Sequence, residues 1–187
     1  MRPLKLRIQA FGSYVDEQIL DFETALADAP FLLIHGVTGS GKTTILDAIV
    51  FALYGESSGD IREGAMLRSS TASPDRTTEV EYVFALGQRR YRVLRSPAYF
   101  RMSRGKMTRR AATGQLFRLP DVGKTGEEKL LAANITDVSE RISQLIGFDA
   151  DQFRQVVLLP QGQFQRFLLA EVKDRSAIMQ RIFRTER

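Results

Sequence analysis

Residues 31 to 54 read FLLIHGVTGSGKTTILDAIVFALY, and they restrict the fold more than any other stretch. The apolar run Phe31, Leu32, Leu33, Ile34 predicts a buried strand. It breaks at Gly36 into a Gly/Ser/Thr loop and resumes from Thr43 to Tyr54 as an apolar segment of helical length. Gly36, Gly41, Lys42 and Thr43 match G-x-x-x-x-G-K-[ST], the phosphate-binding loop, in its strand-before and helix-after setting. A triphosphate needs several donors converging on a small volume. Backbone N–H groups supply them where no side chain blocks the approach, which explains Gly36, Gly39 and Gly41. Thr38, Ser40 and Thr44 complete the expected ATP-binding set. The start of the following helix adds unpaired N–H groups and partial positive charge. Lys42 is expected to reach the β- and γ-phosphates, and the Thr43 hydroxyl to take a position on Mg²⁺.

The remaining residues predict an α/β domain of the P-loop NTPase class with an added antiparallel β layer. Leu4, Leu6, Ile8 and Ala10 alternate with Lys5, Arg7 and Gln9, the pattern of a half-buried strand. Residues 15 to 22 predict a second strand, joined through Gly12-Ser13-Tyr14. Residues 77 to 86 alternate, turn at Gly87-Gln88 and pair with residues 89 to 95 as a hairpin. Residues 98 to 119 predict one or two further strands. Residues 134 to 147 predict a helix, with Asp137 and Glu140 at capping-box spacing and Gly147 as its stop. From Lys173 the chain reads as helix. The expected organisation is a head segment over 1–172, then 173–187 as the start of a helix leading toward a coiled coil.

Composition narrows the partners. The chain has 187 residues, 43% of them hydrophobic, and no cysteine, so it carries no disulfide framework and no thiolate metal site. No apolar run approaches the ~18 residues that span a bilayer. These features predict a cytoplasmic protein without a membrane role. The net charge of +5 is local. Residues 87 to 118 hold ten basic side chains and no acidic one, whereas the rest of the chain has 17 basic and 22 acidic residues. A basic stretch interleaved with Tyr91, Tyr99 and Phe100 suits DNA backbone contact, with Arg95, Arg101, Arg104, Lys106, Arg109 and Arg110 as candidates. A solvated hairpin face with basic residues guarding the sheet edges accounts for the same pattern.

A P-loop ATPase also needs an acidic strand whose Asp supports Mg²⁺ and whose neighbouring Glu activates water. None is found in these 187 residues. The phosphate loop and its helix therefore predict part of a composite site.

Three stretches together resemble the SbcC family of SMC-like ABC-type ATPases of DNA double-strand-break repair. They are GVTGSGKTTILDAIVFALYGE from Gly36, the opening LRIQAFGSY, and VVLLPQGQFQRFLLA from Val156. The third resembles the glutamine loop of that family, which implies that Gln161 reaches Mg²⁺ or the attacking water. The resemblance implies an ATPase head split along the chain, with a long coiled coil between its halves. It implies Mg-ATP as cofactor, the C-terminal half of the same head as partner, and a second head in an ATP-dependent homodimer. It further implies the nuclease SbcD, double-stranded DNA as substrate, DNA end and hairpin processing, and a nucleoid-associated place in the cytoplasm. The isolated chain would then be inactive, with Lys42 and Gln161 as its share of the catalytic groups. Two other classes fit parts of the pattern: an ABC transporter ATPase fragment, and a non-hydrolysing ATP-sensing module for DNA binding or dimerisation.

Overall fold

The structure is a computed structural model, and it describes residues 1–28, 31–56, 67–103, 105–121, 124–154 and 157. The chain divides into two compact units, Met1–Ile146 and Gly147–Arg187.

The first unit is built on a six-stranded sheet in the order β2-β1-β3-β4-β7-β8, antiparallel at every ladder. Its strands are β1 Arg2–Gln9, β2 Gln18–Asp21, β3 Glu79–Leu86, β4 Arg89–Ser96, β7 Thr113–Leu119 and β8 Lys129–Ala132. The alternation read in residues 4 to 10 holds, with Leu4, Leu6, Ile8 and Ala10 all buried. The hairpin forms about Gly87 with Val83 opposite Arg92 and Leu86 opposite Arg89. Residues 98 to 119 hold three strands rather than one or two. Tyr99–Ser103 (β5) and Lys106–Arg110 (β6) make a separate two-stranded hairpin, and only β7 joins the main sheet.

One face of the sheet is apolar and carries the helices α2 Lys42–Tyr54 and α3 Ile135–Ile146. Helix α2 packs on β3 and β4, while α3 packs on β7, β8 and α2. Val80, Tyr82 and Phe84 of β3, Tyr91 and Val93 of β4, and Leu116 of β7 are buried, as are Ala48, Phe51 and Ala52 of α2. Stacked rings run along this layer, Tyr82 to Phe84 at 5.6 Å and Phe84 to Tyr91 at 5.5 Å. The opposite face is polar and laced with ion pairs. Arg7 meets Glu17, Glu79 and Glu81, and Arg92 meets Glu81 and Glu128, so β1, β3 and β4 are cross-linked by charge. Leu4, Val83 and Ala85 form a small buried apolar cluster, with Leu119 packed against it.

Helix termini follow local chemistry, with one departure. Helix α2 ends at Gly55, whose N–H bonds Phe51 O at 2.8 Å. Helix α3 is capped by Asn134, not through the Asp137–Glu140 spacing. Asn134 Oδ1 accepts from the Asp137 N–H at 2.8 Å, and Asp137 serves as the acidic residue of the first turn. Asn134 lies one residue before the helix, where its side chain can reach back-facing N–H groups, which Asp137 inside the helix cannot. Asp21 caps the short helix α1, Phe22–Ala25.

The second unit is described over a few residues. Helix α4, Ala150–Phe153, starts with a reciprocal capping box between Asp149 and Gln152. The expected boundary at 172/173 and the helix from Lys173 lie outside the described residues.

The largest departure concerns the expected central strand. Residues 31 to 36 form no strand, and Phe31 and Leu33 are 86% and 80% exposed. A strand requires a ladder neighbour to pair its backbone groups. No described strand lies beside this segment.

Candidate phosphate-binding site

The site begins where the exposed segment reaches Gly36. Residues 37 to 40 turn, with the Ser40 N–H on Val37 O at 3.2 Å, and Gly41 leads into α2. Gly41 has φ +92° and ψ 9°, a left-handed conformation that glycine adopts without Cβ strain. Space demands glycine there as well. A Cβ on Gly41 would stand 2.5 Å from Ser13 Oγ and 2.9 Å from the Tyr14 ring and hydroxyl.

Lys42 reaches back over the loop. Its Nζ donates to Gly36 O at 2.9 Å and to Val37 O at 2.8 Å. The ammonium therefore sits at the mouth of the turn, where a phosphate oxygen would compete with those carbonyls. Thr38, Gly39, Ser40 and Thr43 are all exposed, while Lys42 itself is half-buried. Helix α2 offers the unpaired N–H groups of its first turn, since Ile45 N–H is the one that bonds Gly41 O, at 3.3 Å. Thr44 points inward. Its side chain is buried and its hydroxyl lies 3.1 Å from Ser13 Oγ, so the side chain does not line the loop.

Magnesium fits this donor chemistry in part. Thr43 places a hydroxyl oxygen at the helix start, a hard ligand of the kind Mg²⁺ takes beside phosphate oxygens. Among the described residues no cluster of three His, Asp or Glu side chains forms a metal cage. Gln161 lies outside the described residues.

The basic stretch divides. Arg90 pairs with Glu23, Arg92 with Glu81 and Glu128, and Arg118 with Asp121. Arg95 is a correction to the DNA-binding set, because its side chain is 1% exposed. Nε donates to Ala52 O at 2.8 Å, while Nη2 donates to Leu53 O at 3.1 Å and Ser139 Oγ at 2.9 Å. Burial pulls its guanidinium down to about 10, still charged at neutral pH. It faces α2 because β4 alternates, which puts Arg95 on the buried side with Tyr91 and Val93. Arg101, Lys106, Arg109 and Arg110 all lie on the β5–β6 hairpin, and Arg104 lies outside the described residues. The register pairs Arg101 with Thr108 and Tyr99 with Arg110, which sets Arg101, Lys106 and Arg110 on one face. Arg109 lies on the other face with Phe100, Met102 and Met107.

Sequence reasoning placed Ser13 and Tyr14 in a strand connection and in the LRIQAFGSY stretch, and assigned neither a contact with the loop. Their spacing to the loop is long-range, and no local pattern marks it.

A family profile described as an AAA domain matches residues 5–187, nearly the whole chain. The chain belongs to the AAA-domain family. Among curated proteins, this AAA domain is 42% identical over 188 residues to the SbcC component of the SbcCD nuclease of Vibrio cholerae, covering 100% of the chain and 18% of that relative. It is 38% identical to the protein of that name from Lactococcus lactis over 99% of the chain, and 35% identical to that from Staphylococcus aureus over all of it, again 18% of each relative. The chain thus spans about a fifth of the length of the relatives it matches. The resemblance to SbcC read from the three stretches holds over the full chain. Among the described residues no helix is long and apolar enough to cross a membrane.

Proposed function

We propose that this chain is the ATP-binding half of an SbcC-type ATPase head. The observation that carries the reading is the phosphate loop itself, with Lys42 Nζ drawn across Gly36 and Val37 at the start of α2. In this reading Lys42 moves onto the β- and γ-phosphates, and the α2 N-terminus holds their remaining charge. Thr43 supplies one oxygen to Mg²⁺, which neutralises phosphate charge when bound. Gln161 orients the attacking water through its neutral amide.

The exposed row of Phe31 and Leu33 supports a second half of the head as partner. An apolar run of this kind leaves water when a neighbouring strand pairs with it. The acidic strand that completes hydrolysis belongs to that half. Two such heads close on ATP as a homodimer, and their nucleotide state controls the processing of DNA ends and hairpins by the nuclease SbcD. The relatives' name, which makes them a component of the SbcCD nuclease, supports the pairing with SbcD. The protein acts in the cytoplasm at the nucleoid, and Arg101, Lys106 and Arg110 lie on DNA phosphates. Over 173–187 the chain enters a helix toward the coiled coil.

The test compares ATP turnover by the isolated 187-residue chain, by the full-length protein, and by its Lys42→Ala and Gln161→Ala variants. Turnover is expected in the full-length protein alone. Sustained, Lys42-dependent turnover by the isolated chain would overturn the composite site.

A further inference from the structure

The turn after β1 is a fixed object that lies on the phosphate loop. Phe11 and Tyr14 close it with reciprocal backbone bonds, Phe11 N–H to Tyr14 O at 2.9 Å and Tyr14 N–H to Phe11 O at 3.0 Å. The Gly12 N–H bonds Leu67 O at 2.8 Å, and the Phe11 ring meets Phe51 of α2 at 5.4 Å. From this anchored turn two hydroxyls reach the start of α2. Tyr14 Oη donates to Gly41 O at 3.3 Å, and Ser13 Oγ lies 3.1 Å from Thr44 Oγ1. Gly12 is also pressed against α2, since a Cβ there would stand 2.4 Å from Thr44 Cγ2.

The peptide unit explains what these contacts do. Gly41 C=O and Lys42 N–H share one planar trans unit and point in opposite directions. Holding the carbonyl from the β1 side therefore turns the Lys42 N–H away from Tyr14 and out of the helix end. Gly41 has no side chain that could occupy the first-turn N–H groups, so they stay open. The Ser13–Thr44 contact fixes the same turn of helix at a second point.

We propose that Tyr14 and Ser13 are positioning residues of the phosphate loop, pre-aiming the first-turn N–H groups of α2 at the β- and γ-phosphates of a nucleoside triphosphate. The inference rests on the reading of residues 36–44 as a triphosphate site. Pre-organisation of this kind lowers the ordering cost of binding, so its loss appears in affinity. It acts on the distal phosphates, so a nucleoside monophosphate should not register it.

The experiment uses the full-length protein and its Tyr14→Phe, Ser13→Ala and Lys42→Ala variants. Equilibrium dialysis gives Kd for MgATP, competition gives Ki for AMP, and urea unfolding gives the midpoint. Tyr14→Phe keeps the ring against Gly41 and removes the donor. MgATP affinity is expected to fall about fivefold, the ratio carried by one hydrogen bond of ordinary net strength, with AMP binding unchanged and the midpoint lowered by no more than the loss of that one bond. Ser13→Ala is expected to act in the same direction. If Lys42→Ala abolishes MgATP binding while both hydroxyl variants stay within about twofold of wild type, the positioning role is wrong and the site stands. If AMP binding and the midpoint fall in step with MgATP affinity, the turn is merely structural and the positioning role is overturned. If Lys42→Ala leaves MgATP binding intact, the site reading fails and the inference falls with it.

Discussion

Arg95 Nε donates to the carbonyl oxygen of Ala52 at 2.8 Å, across 43 residues of chain. The same guanidinium holds Leu53 O and Ser139 Oγ, so one buried cation caps the end of α2 and ties it to α3. The last carbonyls of a helix lack intrahelical partners, and positive charge at that end opposes the helix dipole. The strand opposite leaves room, because Arg95 faces Gly114 in the β4–β7 ladder. Arg95→Met should therefore destabilise the protein by about 2–4 kcal/mol, since it orphans buried carbonyls. Arg95→Lys should recover only part of this, because an ammonium lacks the planar fork. Urea midpoints of the two variants check the order.

Phe31 and Leu33 give a contrast between the short chain and the whole protein. Phe31→Asp and Leu33→Asp replace exposed side chains here, so each should change the stability of the isolated chain by no more than about 0.5 kcal/mol. If a second half of the head covers this row in the full-length protein, as proposed, the same changes bury a carboxylate there. Thermal unfolding and ATP turnover there should both fall. Equal tolerance in the two proteins would mean that this row stays in water.

The hairpin prediction is one of slope. Glu at Arg101, Lys106 and Arg110 removes three cations from one face of β5–β6. If each meets a DNA phosphate, the slope of log Kobs against log salt should shrink by about 0.9 for every phosphate no longer neutralised. Glu at Arg90 and Arg92, which are paired with acids, makes the control and should leave that slope unchanged. Titrating a duplex at several salt concentrations separates the two sets.

Asp21 supplies a pH dependence. Its carboxylate accepts from the Thr24 N–H at 3.0 Å and from the Thr24 hydroxyl at 2.9 Å. The backbone bond and then the hydroxyl hold its pKa below the usual carboxylate value. A depressed folded pKa means the unfolded chain binds the proton more readily. The cap's contribution is therefore complete above the ordinary carboxylate range and is lost as pH falls through the lower folded value. NMR titration of the Asp21 carboxyl should place its midpoint below that of a model peptide. Asp21→Asn should retain the α1 cap and abolish the dependence.

The sequence revealed the parts of this fold that repeat locally. Alternation in residues 4 to 10 and 80 to 84 marked the sheet face correctly, because period two is a property of neighbouring residues. The turn that leads into α2 was legible because its glycines and lysine fall within residues 36 to 42. What was not legible depends on distant contacts. Ser13 and Tyr14 meet the loop from about 30 residues away, and Arg95 reads as one more surface arginine until β4 turns it inward. Phe31 to Ile34 failed for a related reason. An apolar run states what could be buried, while burial itself requires a neighbour.

The place of β1 in the sheet has a kinetic consequence. Gln9 pairs with Glu79, so the β1–β3 ladder encloses the whole phosphate loop and α2 within one long chain excursion. Closing a loop of about 70 residues costs entropy before any contact rewards it. Such non-local pairing slows folding. The turn that seats Gly41 is attached to β1, so the nucleotide loop acquires its shape only after this closure. During synthesis, ATP binding should therefore lag behind the emergence of the loop itself and await the arrival of β3.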